Sequence, residues 1–131
     1  MISAKLYKAG HALGVYFLAI DGNSEVKSFL EDRSRNPETL AIAGGFVHMI
    51  GHLADQGLHA LPSPVFKCWR LAGEMFCELR KGNHRVSCFV YPERVLLLAT
   101  AFRKTRRKEN SEYARALRLK RAFDHEGIWE D

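Results

Sequence analysis

Arginine and lysine carry whatever chemistry this chain has, and they are unevenly placed. Between Arg103 and Arg121 nine cations stand against only Glu109 and Glu112. The first five, Arg103, Lys104, Arg106, Arg107 and Lys108, follow directly on the apolar run Val95–Phe102 (VLLLATAF). Arg80 and Arg85 flank one short turn upstream, with His84 inside it. Guanidinium groups present a fixed fork of donors that matches phosphate oxygens, and they stay charged at any useful pH. A lysine adds a point charge whose pKa neighbouring cations can lower. The pattern therefore predicts a polyanionic or acidic partner, against the simpler reading of a solvated basic helix face. His84 is the imidazole beside this patch and a candidate proton shuttle by its near-neutral reference pKa. Tyr91, at a strand end, is a candidate for stacking on a base.

Other constellations are weaker. His48 and His52 lie four apart on a predicted helix, a spacing that puts both rings on one face. The residue before His52 is Gly51 rather than a carboxylate, and no third ligand is evident, so no metal site is expected. Gly44-Gly45 falls inside the same helix and is not a phosphate loop. No nucleophile with an ordered histidine partner can be picked out by spacing, and no cofactor motif is found. Cys68, Cys77 and Cys88 show no CxxC spacing and read as small buried hydrophobes in a reducing compartment rather than as a disulfide or metal set. The 131 residues fit one domain, 47% hydrophobic and 27% charged with a formal charge of +5. No apolar run approaches the roughly 18 residues of a membrane helix. The N-terminus lacks a secretory pattern, so a cytoplasmic location with no membrane partner is expected.

The elements that must position the cations are legible in outline. Ile2–Ala9 alternates weakly and Val15–Ile20 strongly, predicting an N-terminal hairpin. Ser24 or Asn23 caps a helix to about Arg33, with Val26, Phe29 and Leu30 on one face. Asn36-Pro37-Glu38 reads as the start of a second helix, with Asn as cap and Pro in the first position, running to about Gln56 and ending at Gly57. Gly44-Gly45 is expected to allow close packing on the sheet. Val65–Leu71, Glu74–Arg80, Arg85–Tyr91 and Val95–Phe102 are predicted strands joined by short turns. In Glu74–Arg80 the alternation puts Met75, Cys77 and Leu79 on one side and Glu74, Glu78 and Arg80 on the other, with Phe76 out of phase. The near-continuous apolar run Val95–Phe102 predicts a central strand covered on both faces. A last helix is expected from about Ser111 to Asp124, with Gly127–Asp131 a frayed tail. The fold class is α+β: a mostly antiparallel sheet with a packed N-terminal helix pair and a C-terminal helix.

The order of three pieces carries a resemblance. Glu78-Leu79-Arg80, then Arg85 opening a strand, then Ala101-Phe102-Arg103-Lys104-Thr105, followed by Glu112-Tyr113-Ala114-Arg115-Ala116-Leu117, resembles the RelE/ParE toxin superfamily. The likeness is greatest to its phage-derived HigB-like branch. It covers roughly residues 15 to 124 and leaves residues 1–14 as an N-terminal addition. Where that family has Thr-Pro before its last helix, this chain has Lys108-Glu109. The resemblance implies a toxin of a type II toxin–antitoxin system: a metal-independent endoribonuclease that cleaves mRNA on the ribosome and is neutralised by a cognate, helix-turn-helix antitoxin. It implies catalytic roles for Arg80, Arg85 and Lys104, with His84 as the proton shuttle. Arg103, Arg106, Arg107, Lys108 and Tyr91 become RNA contacts. Two other readings use the same residues: a ParE-like inhibitor of a host protein that does no chemistry, and a phage-derived module that only binds nucleic acid. Arg80 also has a purely structural reading, as a surface ion pair with Glu78 or Glu74.

Overall fold

The structure, a computed structural model, describes residues 1–105 and 109–131. Seven strands form one sheet: β1 (Ile2–Ala9), β2 (Gly14–Ile20), β3 (Phe66–Leu71), β4 (Glu74–Lys81), β5 (His84–Tyr91), β6 (Val95–Arg103) and β7 (Ile128–Glu130). They lie in the order β3-β4-β5-β6-β2-β1-β7. The meander β3 to β6 and the hairpin β1–β2 are antiparallel, whereas β2 pairs parallel with β6 and β1 parallel with β7. Helices α1 (Glu25–Ser34) and α2 (Leu40–Gln56) cover one face of the sheet, and α3 (Glu109–Glu126) covers the other. The fold is α+β, as the sequence implies, with a wider sheet than the four-strand meander alone.

Two separate cores follow from the period of two along each strand. Cys77 and Leu79 of β4 and Leu96 and Leu98 of β6 face the helix pair. Phe76, Phe89, Leu97 and Ala99 face α3. This double burial explains why β6 reads as unbroken apolar sequence. It also explains the out-of-phase Phe76: its face is covered as well.

Ser24 caps α1, its hydroxyl accepting from the Lys27 N–H at 3.2 Å. The start of α2 differs from expectation. Asn36 spends its side chain on a turn, Oδ1 accepting from the Glu38 N–H at 3.0 Å, and the helix begins only at Leu40 after Thr39. Asn has two uses, as a helix cap and as an Asx turn, and here the turn wins. Gly57 ends α2 at φ 97°. The two glycines inside it behave differently: a Cβ at Gly45 would meet the Lys81 side chain at 2.8 Å, whereas one at Gly44 would meet nothing within 4 Å.

Two expectations are overturned. The tail is not frayed: Ile128–Glu130 pairs with Ser3–Lys5, and the Trp129 ring lies 4.9–5.2 Å from those of Phe123, Tyr16 and Tyr91. These rings pack on the strand beside its three-residue ladder. Nor are all three cysteines free, since Cys68 and Cys77 form a disulfide. They face each other directly in the β3–β4 register, with Cα atoms 4.0 Å apart. The hairpin turns through Ala72 and Gly73, both at positive φ, and this two-residue turn brings positions nine apart into register. Cys88 is the partner of Cys77 in β5 and stays a buried thiol, its pKa pushed up by burial. Among the described residues no helix is long and apolar enough to cross a membrane.

Candidate nucleic-acid interface

The hairpin turn Gly82-Asn83, with Gly82 at φ 56°, fixes the register of β4 against β5 and so places the first two candidates. Arg80 and Arg85 are direct cross-strand partners, and His84 pairs in the same way with Arg103 on β6. Lys104 follows, its N–H donating to the Asn83 carbonyl at 2.6 Å. One end of the sheet therefore gathers Arg80, His84, Arg85, Arg103 and Lys104. Cross-strand partners share a face, and adjacent residues alternate, so the set divides. Arg80 and Arg85 lie on the α3 side. His84 and Arg103 lie on the α1 side, where the imidazole sits 5.7 Å from the Phe29 ring. The cations wrap around a rim rather than converge on one concave face.

The α3 side is organised by a residue the sequence presents only as a surface partner. Glu78 is fully buried. Its carboxylate accepts from Arg80 Nε at 2.8 Å and from the Tyr113 hydroxyl at 2.7 Å, and Arg85 Nε lies 3.7 Å away. An ionised carboxylate in a core requires such partners, because burying it unpaired is far more costly than the pairing returns. The Tyr113 phenol is correspondingly harder to ionise, through burial first and then its bond to Glu78. Arg85 is 8% exposed, and its Nη1 also donates to the carbonyls of Gly82 and His84 at 2.8 and 3.0 Å. Its Nη1 is thus spent inside the protein, while its Nε is buried beside Glu78 without a hydrogen bond. Arg80 is different: its Nε is engaged, its side chain is 29% exposed, and its Nη groups have no partner among the described residues. The structural reading of Arg80 thus holds for one edge of the guanidinium and leaves the other edge for a ligand. Lys104 is more exposed still and lies 3.4 Å from Glu109.

On the α1 side, His84 has its pKa lowered below 6.5, chiefly by burial and then by the charges of Arg33, Arg103 and Arg85. Its Nδ1 is buried without a hydrogen-bond partner. Arg33 of α1 stacks over Phe29 at 4.1 Å, adding a cation that lies outside the sequence cluster. A cleft of about 500 Å³ runs between α1 and the end of β6, with Arg33, Arg35, Ala101 and Phe102 in its walls. It exists because β2 leaves β6 after the Phe17–Leu98 pair. Glu25 covers the exposed edge beyond, accepting from the Ala101 N–H at 2.8 Å while Arg115 reaches the same carboxylate from α3.

Tyr91 is not part of this rim. It ends β5 at the opposite side of the sheet, about 24 Å from His84 at ~3.4 Å per residue. Its hydroxyl donates to Asp124 at 2.6 Å, and Lys120 lies 4.7 Å from its ring. It is a core-edge residue of the α3 layer, not a base-stacking one at the cationic end. Arg106, Arg107 and Lys108 lie outside the described residues. His48 and His52 stack at 6.2 Å on α2, and no group of three metal-ligating side chains occurs among the described residues.

Glu78 and Tyr113 are the members of the site that the sequence reading underrated, and Phe76 was the available signal. An apolar residue in phase with Glu74, Glu78 and Arg80 marks that face as covered. No protein-family model matches this chain, and no curated protein matches it.

Proposed function

We propose that the chain is a RelE/HigB-like toxin that cleaves mRNA on the ribosome, working through its cationic rim and restrained by a cognate helix-turn-helix antitoxin. The observation that carries the reading is the cross-strand pairing of Arg80 with Arg85 beside Lys104, with the outer edge of Arg80 unengaged. Metal-free RNA cleavage needs three things: a base for the 2′-hydroxyl, charge to stabilise the phosphorane, and a proton for the 5′-oxygen. The 2′-oxygen attacks the adjacent phosphorus, the bond to the 5′-oxygen breaks, and a 2′,3′-cyclic phosphate and a 5′-hydroxyl result. In this chain Arg80 and Lys104 bear on the phosphate and the Lys104 ammonium gives a proton to the departing 5′-oxygen, while Arg103, on the α1 face, holds RNA beyond the cleaved bond. Arg85 and Glu78 hold the Arg80 guanidinium in place. The His84 imidazole, its pKa depressed, faces the α1 side across the sheet from Arg80, so the 2′-hydroxyl gives its proton to solvent rather than to this ring. So sparse a set relies on the ribosome to position the substrate, which can supply much of the barrier reduction. Action on ribosomes implies a cytoplasmic location, where the Cys68–Cys77 disulfide is open to reduction.

A second reading is favoured by Glu78 itself. A carboxylate that occupies both arginines suits a scaffold that binds a partner or nucleic acid without cleaving it. Induced expression in a bacterial host, with RNA 5′ ends mapped, separates the two. Growth arrest with new ends inside translated codons, abolished by Arg80→Glu with Lys104→Glu, is the expected result. Arrest without new ends moves the function to a non-nuclease inhibitor. Soluble protein without arrest overturns the toxin reading.

A further inference from the structure

A second recess lies across α1 from the cleft at the cationic rim. It is a groove of about 620 Å³ where α1 and α2 stop short of β1. Phe17, Leu30 and Ala43 lie in its walls, and all three are buried. Its lip is unusual for a protein surface: Leu6, Tyr7, Leu40 and Val47 are 38%, 37%, 54% and 46% exposed. These four are a large share of the exposed bulky apolar side chains, gathered on one feature. Such a concentration marks an interaction site rather than scattered surface apolarity.

Charge and shape choose the occupant. Lys5 and Lys27 stand at the margin with no ion-pair partner among the described residues. The acidic lining residue Glu31 lies 3.9 Å from Arg35. The groove is therefore apolar inside and positive at its edge, and it fits something apolar and negative. A small amphiphile inside the recess would leave Leu40, Val47, Leu6 and Tyr7 wet. A rod that lies along the groove covers them. A second copy of this chain seated groove to groove would bring two lysine-edged margins together with no acidic surface to meet them. We propose that this groove is the docking site for an acidic amphipathic helix of a partner protein, its apolar residues at i, i+3/i+4 and i+7 in the groove and its carboxylates on Lys5 and Lys27. The proposal stands on the groove alone and does not depend on the rim being catalytic.

Gly44 supplies a clean test. It lines the groove, and a Cβ there would meet nothing within 4 Å. Gly44→Leu thus fills the recess from inside a helix without disturbing the fold, which circular dichroism and thermal melting verify. The probe is a fluorescein-labelled synthetic helix of about 18 residues, with leucines at the spacing above and glutamates on both flanks. A control peptide carries lysine at each glutamate. Fluorescence anisotropy is expected to show the acidic peptide binding at least about tenfold more tightly than the basic one, with the difference shrinking as salt rises. Gly44→Leu and Val47→Glu should each weaken binding about tenfold or more, while Met75→Glu, exposed elsewhere, leaves it unchanged. Equal binding of the two peptides, or unaltered binding to folded Gly44→Leu, overturns the proposal. Binding of the fluorescent fatty acid cis-parinaric acid but not of the peptide assigns the groove to a lipid and overturns it. So does a dimer in sedimentation that Val47→Glu dissociates.

Discussion

Replacing Glu78 by glutamine perturbs the rim at its buried end. The side chain keeps its shape and one carbonyl acceptor but loses its charge. Its best orientation puts the oxygen toward Arg80 Nε and the amide nitrogen toward the Tyr113 hydroxyl, which can accept. Both contacts, now 2.8 and 2.7 Å, survive in weaker form. What cannot be replaced is the counter-charge for Arg85, 3.7 Å away and 8% exposed. Breaking a buried ion pair by removing one partner costs about 3–5 kcal/mol. The partial exposure of Arg80 and the retained hydrogen bonds reduce this, so about 2–4 kcal/mol is expected. For a chain of this length that is a fall in Tm of about 10 °C.

The assay is urea unfolding followed by far-ultraviolet circular dichroism, with the midpoint falling and the m-value unchanged. Tyr113→Phe removes only the hydroxyl and, since its bond is to a carboxylate, should cost about 1.5–3 kcal/mol. In a double-mutant cycle with Glu78→Gln the two should couple by about 1 kcal/mol, the difference between the charged bond and the weaker neutral one that glutamine keeps. A loss below about 0.5 kcal/mol for Glu78→Gln, or strict additivity with Tyr113→Phe, would refute the view that this carboxylate organises the rim.

Three further outcomes follow from other parts of the fold. His84 has its pKa lowered in the folded state, so as pH falls through 6.5 the unfolded chain takes up the proton first and stability drops until the folded form is protonated too. Proton NMR should show it titrating below 6.5, and His84→Gln should remove that part of the pH dependence; titration above 6.5 contradicts the burial seen here. Reducing the Cys68–Cys77 bond, or Cys68→Ser, should cost about 2–3 kcal/mol for so short a closed loop, read as a shift of the urea midpoint with and without dithiothreitol. Trp129→Ala should cost about 1–2 kcal/mol by opening the ring cluster with Tyr16, Tyr91 and Phe123, and a loss near zero would return the C-terminus to a frayed tail.

Local pattern made the strands, the Ser24 cap, the Gly57 stop and the covered nature of β6 readable, because each depends on residues close in sequence. What could not be read depends on pairing. The disulfide joins positions nine apart only once the Ala72-Gly73 turn fixes the register. β7 is three residues long, and it packs against rings on β2, β5 and α3. The cation cluster was visible as composition, but its division between two faces was not. That division follows from single-residue alternation along β5, where His84 and Arg85 are neighbours in sequence and back to back in space. Tyr91 reads as a stacking candidate because it sits at a strand end, yet that end is the one opposite the cations.

The unequal engagement of Arg80 and Arg85 allows the two to be told apart by experiment. Both pair with Glu78, and from sequence they are equivalent candidates. Arg85 spends its Nη1 on the carbonyls of Gly82 and His84, and a lysine cannot span both carbonyls and the carboxylate at once. Arg85→Lys should therefore lower stability by about 2 kcal/mol while leaving affinity for single-stranded RNA nearly intact in the folded fraction. Arg80→Ala should instead weaken RNA binding. It also takes from the buried Glu78 carboxylate its one arginine hydrogen bond, at 2.8 Å, so its stability cost is no smaller and RNA affinity separates the two variants. The loss of a phosphate contact in Arg80→Ala should lower the slope of log affinity against log salt by about 0.7. Lys104→Ala should lower the slope by a similar amount and, at 44% exposure, hardly change stability. If Arg85→Lys rather than Arg80→Ala flattens the salt dependence, the guanidinium facing the ligand has been misassigned, and the turn Gly82-Asn83 must open for nucleic acid to bind.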